Sequence, residues 1–127
     1  MNVSSHEALP ISIQAEKFTY HLRMKQQENE TGIKRYEWRD EEQLFGFVEY
    51  YVFGEICIIT HTEVLPAIAG RGYGSKLAAQ AMEYARSQNR HVVPICGFIV
   101  NYLRKNPQYL DLLTPESRRI FNIGNIE

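Results

Sequence analysis

A glycine-rich segment, Gly70-Arg71-Gly72-Tyr73-Gly74, divides the chain into two parts with different hydrophobic periodicity. Before it, apolar and polar residues alternate with the period of two that predicts β-strands. After it, five apolar residues recur at helical spacing and form one stripe: Leu77, Ala78, Ala81, Met82 and Ala85. This order predicts a sheet that is followed by a tight turn and a helix.

Four strands are predicted before the glycine-rich segment, and together they make an antiparallel meander. Gly54 separates the last two strands, which predicts a tight turn between them. Polar residues from Gln26 to Gly32 and from Arg39 to Gln43 predict the other turns. The predicted strands are Lys17 to Met24, Ile33 to Trp38, Leu44 to Phe53 and Glu55 to Val64.

The main helix is expected to end near Asn89, and a β-branched run from His91 to Cys96 follows it. A strand in this place usually lies parallel to the strand before the helix, which completes a βαβ unit. Phe98 to Lys105 predicts a second helix, which ends at Asn106 because Pro107 follows. The fold class is therefore mixed α/β, with an antiparallel meander followed by a βαβ unit.

The length of 127 residues predicts one compact domain over residues 17–113 with a short appendage at each end. Residues 1–16 contain Pro10 and little alternation, so we expect an amino-terminal arm. In the carboxy-terminal extension, residues 114–127, Thr114 predicts a helix N-cap with Pro115 at the first helical position. Its apolar residues can dock on the domain or on a second subunit, which leaves the oligomeric state open: Ile120, Phe121, Ile123 and Ile126.

Charge and cysteine usage exclude several classes of function. Fourteen Lys and Arg balance 15 Asp and Glu, so the chain has no basic footprint for nucleic acid or an anionic membrane. The longest uncharged stretch, Val92 to Leu103, is shorter than the ~18 apolar residues of a membrane-spanning helix. Cys57 and Cys96 lack the spacing of a zinc site or a disulfide framework. With no secretion signal at the amino terminus, we expect a cytoplasmic protein without a metal.

The glycine-rich segment has the chemistry of an anion site, because a strand, a turn and a helix place unpaired N–H groups at one point. It differs from the P-loop, since Ser75-Lys76 follows Gly74. It also differs from the dinucleotide fingerprint, in which the sixth position is Gly, because Ser75 stands there. A turn that needs small residues only for packing is the alternative explanation.

Four short motifs in this order resemble the small, minimal members of the GNAT N-acetyltransferase superfamily. They are His61-Thr62-Glu63-Val64-Leu65-Pro66, Gly70-Arg71-Gly72-Tyr73-Gly74-Ser75, Val92-Val93-Pro94-Ile95-Cys96 and Asn106-Pro107-Gln108-Tyr109. The resemblance covers about Phe45 to Leu113. It implies a sheet in which the strand ending at Val64 and the strand ending at Cys96 splay apart.

The resemblance also implies a binding site for acetyl-CoA, which is the acyl donor. The pyrophosphate would lie on the loop residues Gly70, Arg71, Gly72, Tyr73, Gly74 and Ser75. Val64 and Leu65 would offer backbone groups to the pantetheine arm, and Asn101 would hydrogen-bond its amides. Ala69 stands where the family pattern has Gln or Arg, a departure that affects the loop's affinity more than its fold.

Acetyl transfer to an amine requires a base, because an alkyl amine with a pKa near ~10.4 is mostly protonated at pH 7. His61 and Glu63 are the candidates, since residues two apart on a strand share a face. By resemblance, Cys96 lies near the CoA sulfur, where His61 could stabilise its thiolate and an acetyl-cysteine intermediate could form. Direct attack by the amine is the favoured route. Tyr102 is placed to protonate the departing thiolate.

The function expected from this resemblance is transfer of acetyl from acetyl-CoA to a primary amine. Polyamines, protein lysines and amino sugars all remain open as acceptors. Two other classes of function are considered. The chain could bind CoA or acyl-CoA without turnover, or it could be a small interaction module whose Gly70 to Gly74 loop binds no ligand.

Overall fold

The computed structural model describes residues 11–15, 18–28, 32–40 and 43–124. These ranges contain a mixed sheet with strand order β1-β2-β3-β4-β5-β6. The strands are β1 (Ile11–Ala15), β2 (Phe18–Glu28), β3 (Lys34–Asp40), β4 (Gln43–Phe53), β5 (Ile56–Val64) and β6 (His91–Pro94). The helices are α1 (Tyr73–Ser87), α2 (Gly97–Lys105) and α3 (Pro115–Phe121), with 3-10 helices at Pro66–Ile68 and Pro107–Leu112.

The predicted mixed α/β fold is confirmed. Strands β1 to β5 pair antiparallel in chain order, and β6 pairs parallel with β5. Gly54 makes the β4–β5 turn with a φ of 57°, a left-handed conformation that glycine adopts without strain. Helix α1 connects β5 to β6, so the βαβ unit is present as predicted.

Three segments that were predicted to be turns or an arm extend the sheet. Residues 11–15 of the predicted arm form β1, which pairs along its full length with the start of β2. Residues 26–28 continue β2, and Arg39 and Asp40 belong to β3. Strand β6, in contrast, is shorter than predicted, because it ends at Pro94 and not at Cys96. Residues 1–10, 16–17, 29–31, 41–42 and 125–127 lie outside the described residues, and with them most of the arm and Ile126.

The core lies between one face of the sheet and α1. The buried stripe of α1 contains the five apolar residues predicted from their spacing. Facing it, Trp38 is fully buried and its indole N–H donates to Oε1 of Gln80 on α1 at 2.7 Å. This bond satisfies the one polar atom of the largest core side chain, and so fixes the position of α1 relative to the sheet. Among the described residues, no helix has the length and apolar character needed to cross a membrane.

The start of α3 confirms the predicted capping residue. The Thr114 hydroxyl accepts a hydrogen bond from the Ser117 N–H at 3.2 Å, and Pro115 occupies the first turn. At the other end of α3, Arg104 donates to the carbonyls of Phe121 and Asn122 at 2.8 and 3.0 Å. Both ends of α3 are therefore satisfied, which ties the described part of the carboxy-terminal extension to the domain.

We expect Thr114→Ala to lower the free energy of unfolding by about 1 kcal/mol, because it leaves the Ser117 N–H without its cap. Thr114→Ser keeps the hydroxyl and should stay close to the wild type. Urea denaturation followed by circular dichroism measures both variants. Equal losses of unfolding free energy in Thr114→Ala and Thr114→Ser would show that the methyl group of Thr114, and not its hydrogen bond, stabilises the helix start.

Candidate active site

A gap opens in the sheet between β5 and β6. Their pairing ends at Ile59 and Pro94, while β5 continues for five more residues to Val64. The N–H groups of Ile95 and Cys96 both donate to the Ile59 carbonyl, at 2.9 and 3.1 Å. These two hydrogen bonds to one carbonyl oxygen mark the point at which the chain turns away from the sheet into α2. The splay of the two strands implied by the resemblance is therefore present.

A β-bulge lies where the gap begins. Tyr50 pairs with Ile59 and Glu49 pairs with His61, so Thr60 is an extra residue on β5. A bulge bends and twists its strand, and here it changes which residues face α1. Thr62 then pairs with the buried core residue Val48, so the Thr62 side chain lies on the α1 side of the sheet. His61 and Glu63 consequently project from the opposite face.

The backbone of β5 presents polar groups to the gap. The Leu65 N–H donates to the Phe45 carbonyl on β4 at 2.9 Å, and the Leu65 carbonyl accepts from Ile68. Because hydrogen-bonding direction alternates along a strand, the peptide groups of Thr62 and Val64 then point toward the gap. The predicted backbone role thus fits Val64, whereas both backbone groups of Leu65 are already used within the fold. The peptide group of Thr62 faces the gap instead, which follows from the register of β4 and β5.

A cavity of about 280 Å³ adjoins the gap on the α1 side. The glycine-rich loop and the first turn of α1 form one wall, and β5 and α2 form the others. Of the residues predicted to bind the cofactor, Val64, Gly70, Gly72, Tyr73, Gly74 and Ser75 line it. The lining also includes Ala69, which departs from the family pattern, and three residues that the sequence did not single out: Thr62, Ile68 and Phe98.

The loop has the properties of an anion site. Gly70 and Gly72 both have a φ of 80°, and a Cβ added to either would meet nothing within 4 Å, so their backbones are open to a ligand. Gly72 is the N-cap of α1, and no side chain caps this helix or places an acid in its first turn. The N–H groups of that turn and the positive end of the helix dipole therefore face the cavity. Arg71 and Lys76 are exposed nearby.

His61 and Glu63 share a face, as predicted from their spacing. His61 Nε2 lies 3.1 Å from Glu63 Oε1, and the two side chains are 52% and 45% exposed. The imidazole also lies beside the Phe47 ring, with centroids 5.8 Å apart. The pair thus lies on the far face of β5 from the cavity, next to the backbone groups that border the gap.

Arg35 and Glu49 flank this pair on the same face. Glu49 pairs with His61 across β4 and β5, and its carboxylate accepts from Arg35 Nε at 2.8 Å. The Arg35 guanidinium lies over the Phe47 ring at 3.9 Å. The surface beside His61 on this face is therefore charged and aromatic.

The other two predicted catalytic residues, Cys96 and Tyr102, lie at the start of α2 and within it. Cys96 is the N-cap of α2, and it is half-buried against the core beside Ile59. Tyr102 is 9% exposed and packs against Tyr109 with centroids 6.0 Å apart, and it is not among the residues that line the cavity. Burial raises the pKa of Tyr102, which makes its phenol a weaker acid. The acid role of Tyr102 stays a prediction.

Asn101, the other residue predicted on α2, is exposed and lies outside the described set of cavity-lining residues. Within the described ranges, no three His, Cys, Asp or Glu residues cluster closely enough to hold a metal ion.

The two cysteines differ in environment, and we expect them to differ in reactivity. Burial raises the pKa of the Cys57 thiol to about 12, so at pH 8 only about one molecule in ten thousand carries the thiolate there. Iodoacetamide at pH 8 should label Cys96 in the folded protein and reach Cys57 only after unfolding. Peptide mass spectrometry measures both sites, with Cys96→Ser as the control. Fast labelling of Cys57 in the folded protein would contradict the burial of this thiol.

A sequence model of one protein family matches the chain over residues 35–112, which is more than half of its length. The family is described as GCN5-related N-acetyl-transferase. The match begins on β3 and ends in the 3-10 helix after α2, so it includes the gap, the glycine-rich loop and the cavity. No curated protein sequence matches the chain.

Proposed function

Because the chain belongs to the GCN5-related N-acetyl-transferase family, whose donor is acetyl-CoA, we propose that it transfers the acetyl group to a primary amine. One observation carries this proposal. The uncapped start of α1 and the gap between β5 and β6 open onto the same cavity. The anion site lies at one end of the cavity, and the backbone groups of β5 that face the gap lie beside it. This arrangement suits a ligand with a pyrophosphate at one end and a thioester at the other.

The loop residues would hold the pyrophosphate through main-chain N–H groups. Gly70 and Gly72 leave their backbones uncovered, and Gly74 and Ser75 keep the first turn of α1 small. Arg71 and Lys76 add positive charge at the exposed rim. Ala69 supplies no polar side chain, so the main chain carries most of the affinity.

The peptide groups of Thr62 and Val64 would bind the pantetheine arm and place the thioester in the gap. An N–H group aimed at the thioester oxygen stabilises the negative charge that develops there during attack. The amine would approach from the opposite face of the sheet, where His61 and Glu63 lie. Donor and acceptor then meet within the gap, each reaching it from its own side.

The His61–Glu63 pair would take the proton that the amine loses. The Glu63 carboxylate lies 3.1 Å from the imidazole, so it orients the ring and stabilises the imidazolium form. The amine nitrogen then bonds to the carbonyl carbon, the carbon–sulfur bond breaks, and the CoA thiolate takes a proton from water. Direct attack of this kind needs no acyl-enzyme. The route through an acetylated Cys96 is the alternative, and a stable mass increase of one acetyl group on Cys96 would identify it.

An acceptor screen tests the proposal. The wild-type protein is mixed with acetyl-CoA and, in separate reactions, spermidine, a lysine-containing peptide and glucosamine, and the acetylated products are measured by mass spectrometry. Product that requires the protein and rises with its concentration supports the proposal. CoA binding without product from any amine class supports a binding module instead.

A further inference from the structure

A second cleft lies on the face of the sheet that carries the His61–Glu63 pair. Its volume is about 270 Å³. It is separate from the cavity beside the glycine-rich loop, because the two share no lining residue among those that the structure describes. Strands β2, β3 and β4 contribute most of its lining, which consists of Gln27, Glu28, Ile33, Arg35 and Glu49. The proposed acetyl transfer gives none of these residues a role.

The cleft lies in line with His61 across the sheet. His61 pairs with Glu49 on β4, Glu49 pairs with Arg35 on β3, and Arg35 pairs with Gln27 on β2. Tyr36, the neighbour of Arg35, is buried in the core, so Arg35 projects from the face opposite α1. Neighbouring strands are about 5 Å apart, so this row of paired residues is roughly 14 Å long. A ligand whose amine reaches His61 can therefore extend along the row into the cleft.

Charges in the cleft favour a positively charged ligand. Glu28 and Glu49 contribute two carboxylates, and Arg35 contributes one guanidinium group. That guanidinium already donates to the Glu49 carboxylate at 2.8 Å and to the Glu37 carboxylate at 3.4 Å. The Glu28 side chain is 53% exposed and accepts from Lys34 Nζ at 2.8 Å. Because an exposed ion pair contributes little stability, an ammonium group of a ligand can replace Lys34 there.

We infer that the acceptor is a linear aliphatic amine with a second ammonium group at its far end, which binds Glu28 in this cleft. The inference rests on the proposed function and names its class of acceptor. In spermidine or 1,8-diaminooctane the two terminal nitrogens are nine bonds apart, about 11 Å in an extended chain. The row is somewhat longer between backbones, and the side chains of His61 and Glu28 shorten the distance that the ligand spans.

Length separates this class from the other open acceptors. A lysine side chain has five bonds between Nζ and Cα, roughly 6 Å when extended. With its amine beside His61, a lysine therefore reaches Glu49 and ends before Glu28. An amino sugar is similarly short.

The test compares 1,8-diaminooctane with octylamine, which has the same chain and lacks the ammonium group at the far end. At saturating acetyl-CoA, kcat/KM per amine should be at least about fivefold higher for the diamine, which carries two equivalent amines. The preference should shrink in about 0.5 M NaCl, because salt screens exposed charges. Mass spectrometry of the acetylated amines measures both rates.

Two variants change the cleft in opposite directions. Glu28→Gln removes the carboxylate and should bring the two acceptors to within about twofold of each other. Lys34→Gln removes the competing ammonium group and should raise the preference for the diamine about twofold. The octylamine rate should be unchanged in both variants. Glu55→Gln is the matched control, since Glu55 is an exposed acid in the turn between β4 and β5, and it should keep the wild-type preference.

Two results would overturn the inference: equal kcat/KM for the two acceptors in the wild type, or a preference for the diamine that Glu28→Gln leaves unchanged. In both cases acetylated octylamine would still support the proposed function. An absence of product from these two acceptors and from every amine of the screen would instead overturn the proposed function.

Discussion

Gly72→Glu is expected to weaken CoA binding by at least about a hundredfold. The glycine is the N-cap of α1, its φ is 80°, and its missing side chain would point into open space. A glutamate there brings a carboxylate to the place where the pyrophosphate should lie. Charge repulsion then adds to the loss of space for the ligand. Isothermal titration with CoA measures the change.

The matched control for this variant is Gly54→Glu. Gly54 also has a positive φ, and a Cβ there would also meet no atom within 4 Å, but it lies in the β4–β5 hairpin at the opposite end of β5. Both variants add the same charge and a similar backbone strain of about 1 kcal/mol. Only Gly72→Glu should lose affinity for CoA. Similar affinities in the two variants would place the ligand somewhere other than the loop.

Glu63→Gln is expected to lower turnover by about 10²- to 10⁴-fold with saturating acetyl-CoA. The amide keeps the size of the side chain but cannot stabilise an imidazolium on His61, 3.1 Å away. Because the pair lies on the face opposite the cavity, CoA affinity should stay within about twofold of the wild type. A stopped assay of the acetylated amine, once an acceptor is found, gives the rate.

Glu55→Gln is the control for this change, since Glu55 is an exposed acid at the hairpin end of β5. Its rate should match that of the wild type. The double variant His61→Gln with Glu63→Gln should lose little more than either single variant, because two residues that act as a unit give losses that do not add. A Glu63→Gln rate as high as that of Glu55→Gln would remove the pair from the mechanism.

Features that depend on local sequence were predicted well. Gly54 requires a left-handed turn, Thr114 and Pro115 form a helix start within four residues, and the α1 stripe repeats at the helical period. Each of these is decided by neighbours in the chain. For the same reason, the alternating positions of His61 and Glu63 correctly predicted that their side chains share a face.

Features that depend on distant pairing could not be predicted in this way. The five residues of β1 are a strand because β2 pairs with them, and the run itself is short and follows Pro10. The bulge at Thr60 arises from the register between β4 and β5, and it turns Thr62 toward the cavity. The sequence signal for Thr62 was only that a polar residue stands between His61 and Glu63. The alternation of polar and apolar residues by itself gave no reason to select Thr62 as a cavity residue.

The helices show a similar division. The bounds of α2 followed from Pro107 and from apolar spacing, but the direction of its side chains depends on what packs against it. Tyr102 packs on Tyr109 from the following 3-10 helix, while Phe98 lies over Gly74 of α1. Neither contact follows from the position of these two residues along α2. A sequence pattern places a residue on a helix, and tertiary contacts decide what it faces.

The central claim is that the cavity beside the gap binds acetyl-CoA, and isothermal titration of the wild-type protein with acetyl-CoA tests it most directly. The structure leads us to expect one ligand per chain with micromolar affinity, and CoA should compete for the same site. An absence of binding at millimolar acetyl-CoA would contradict the account, because the loop, the gap and the cavity would then not form a binding site for the acyl donor.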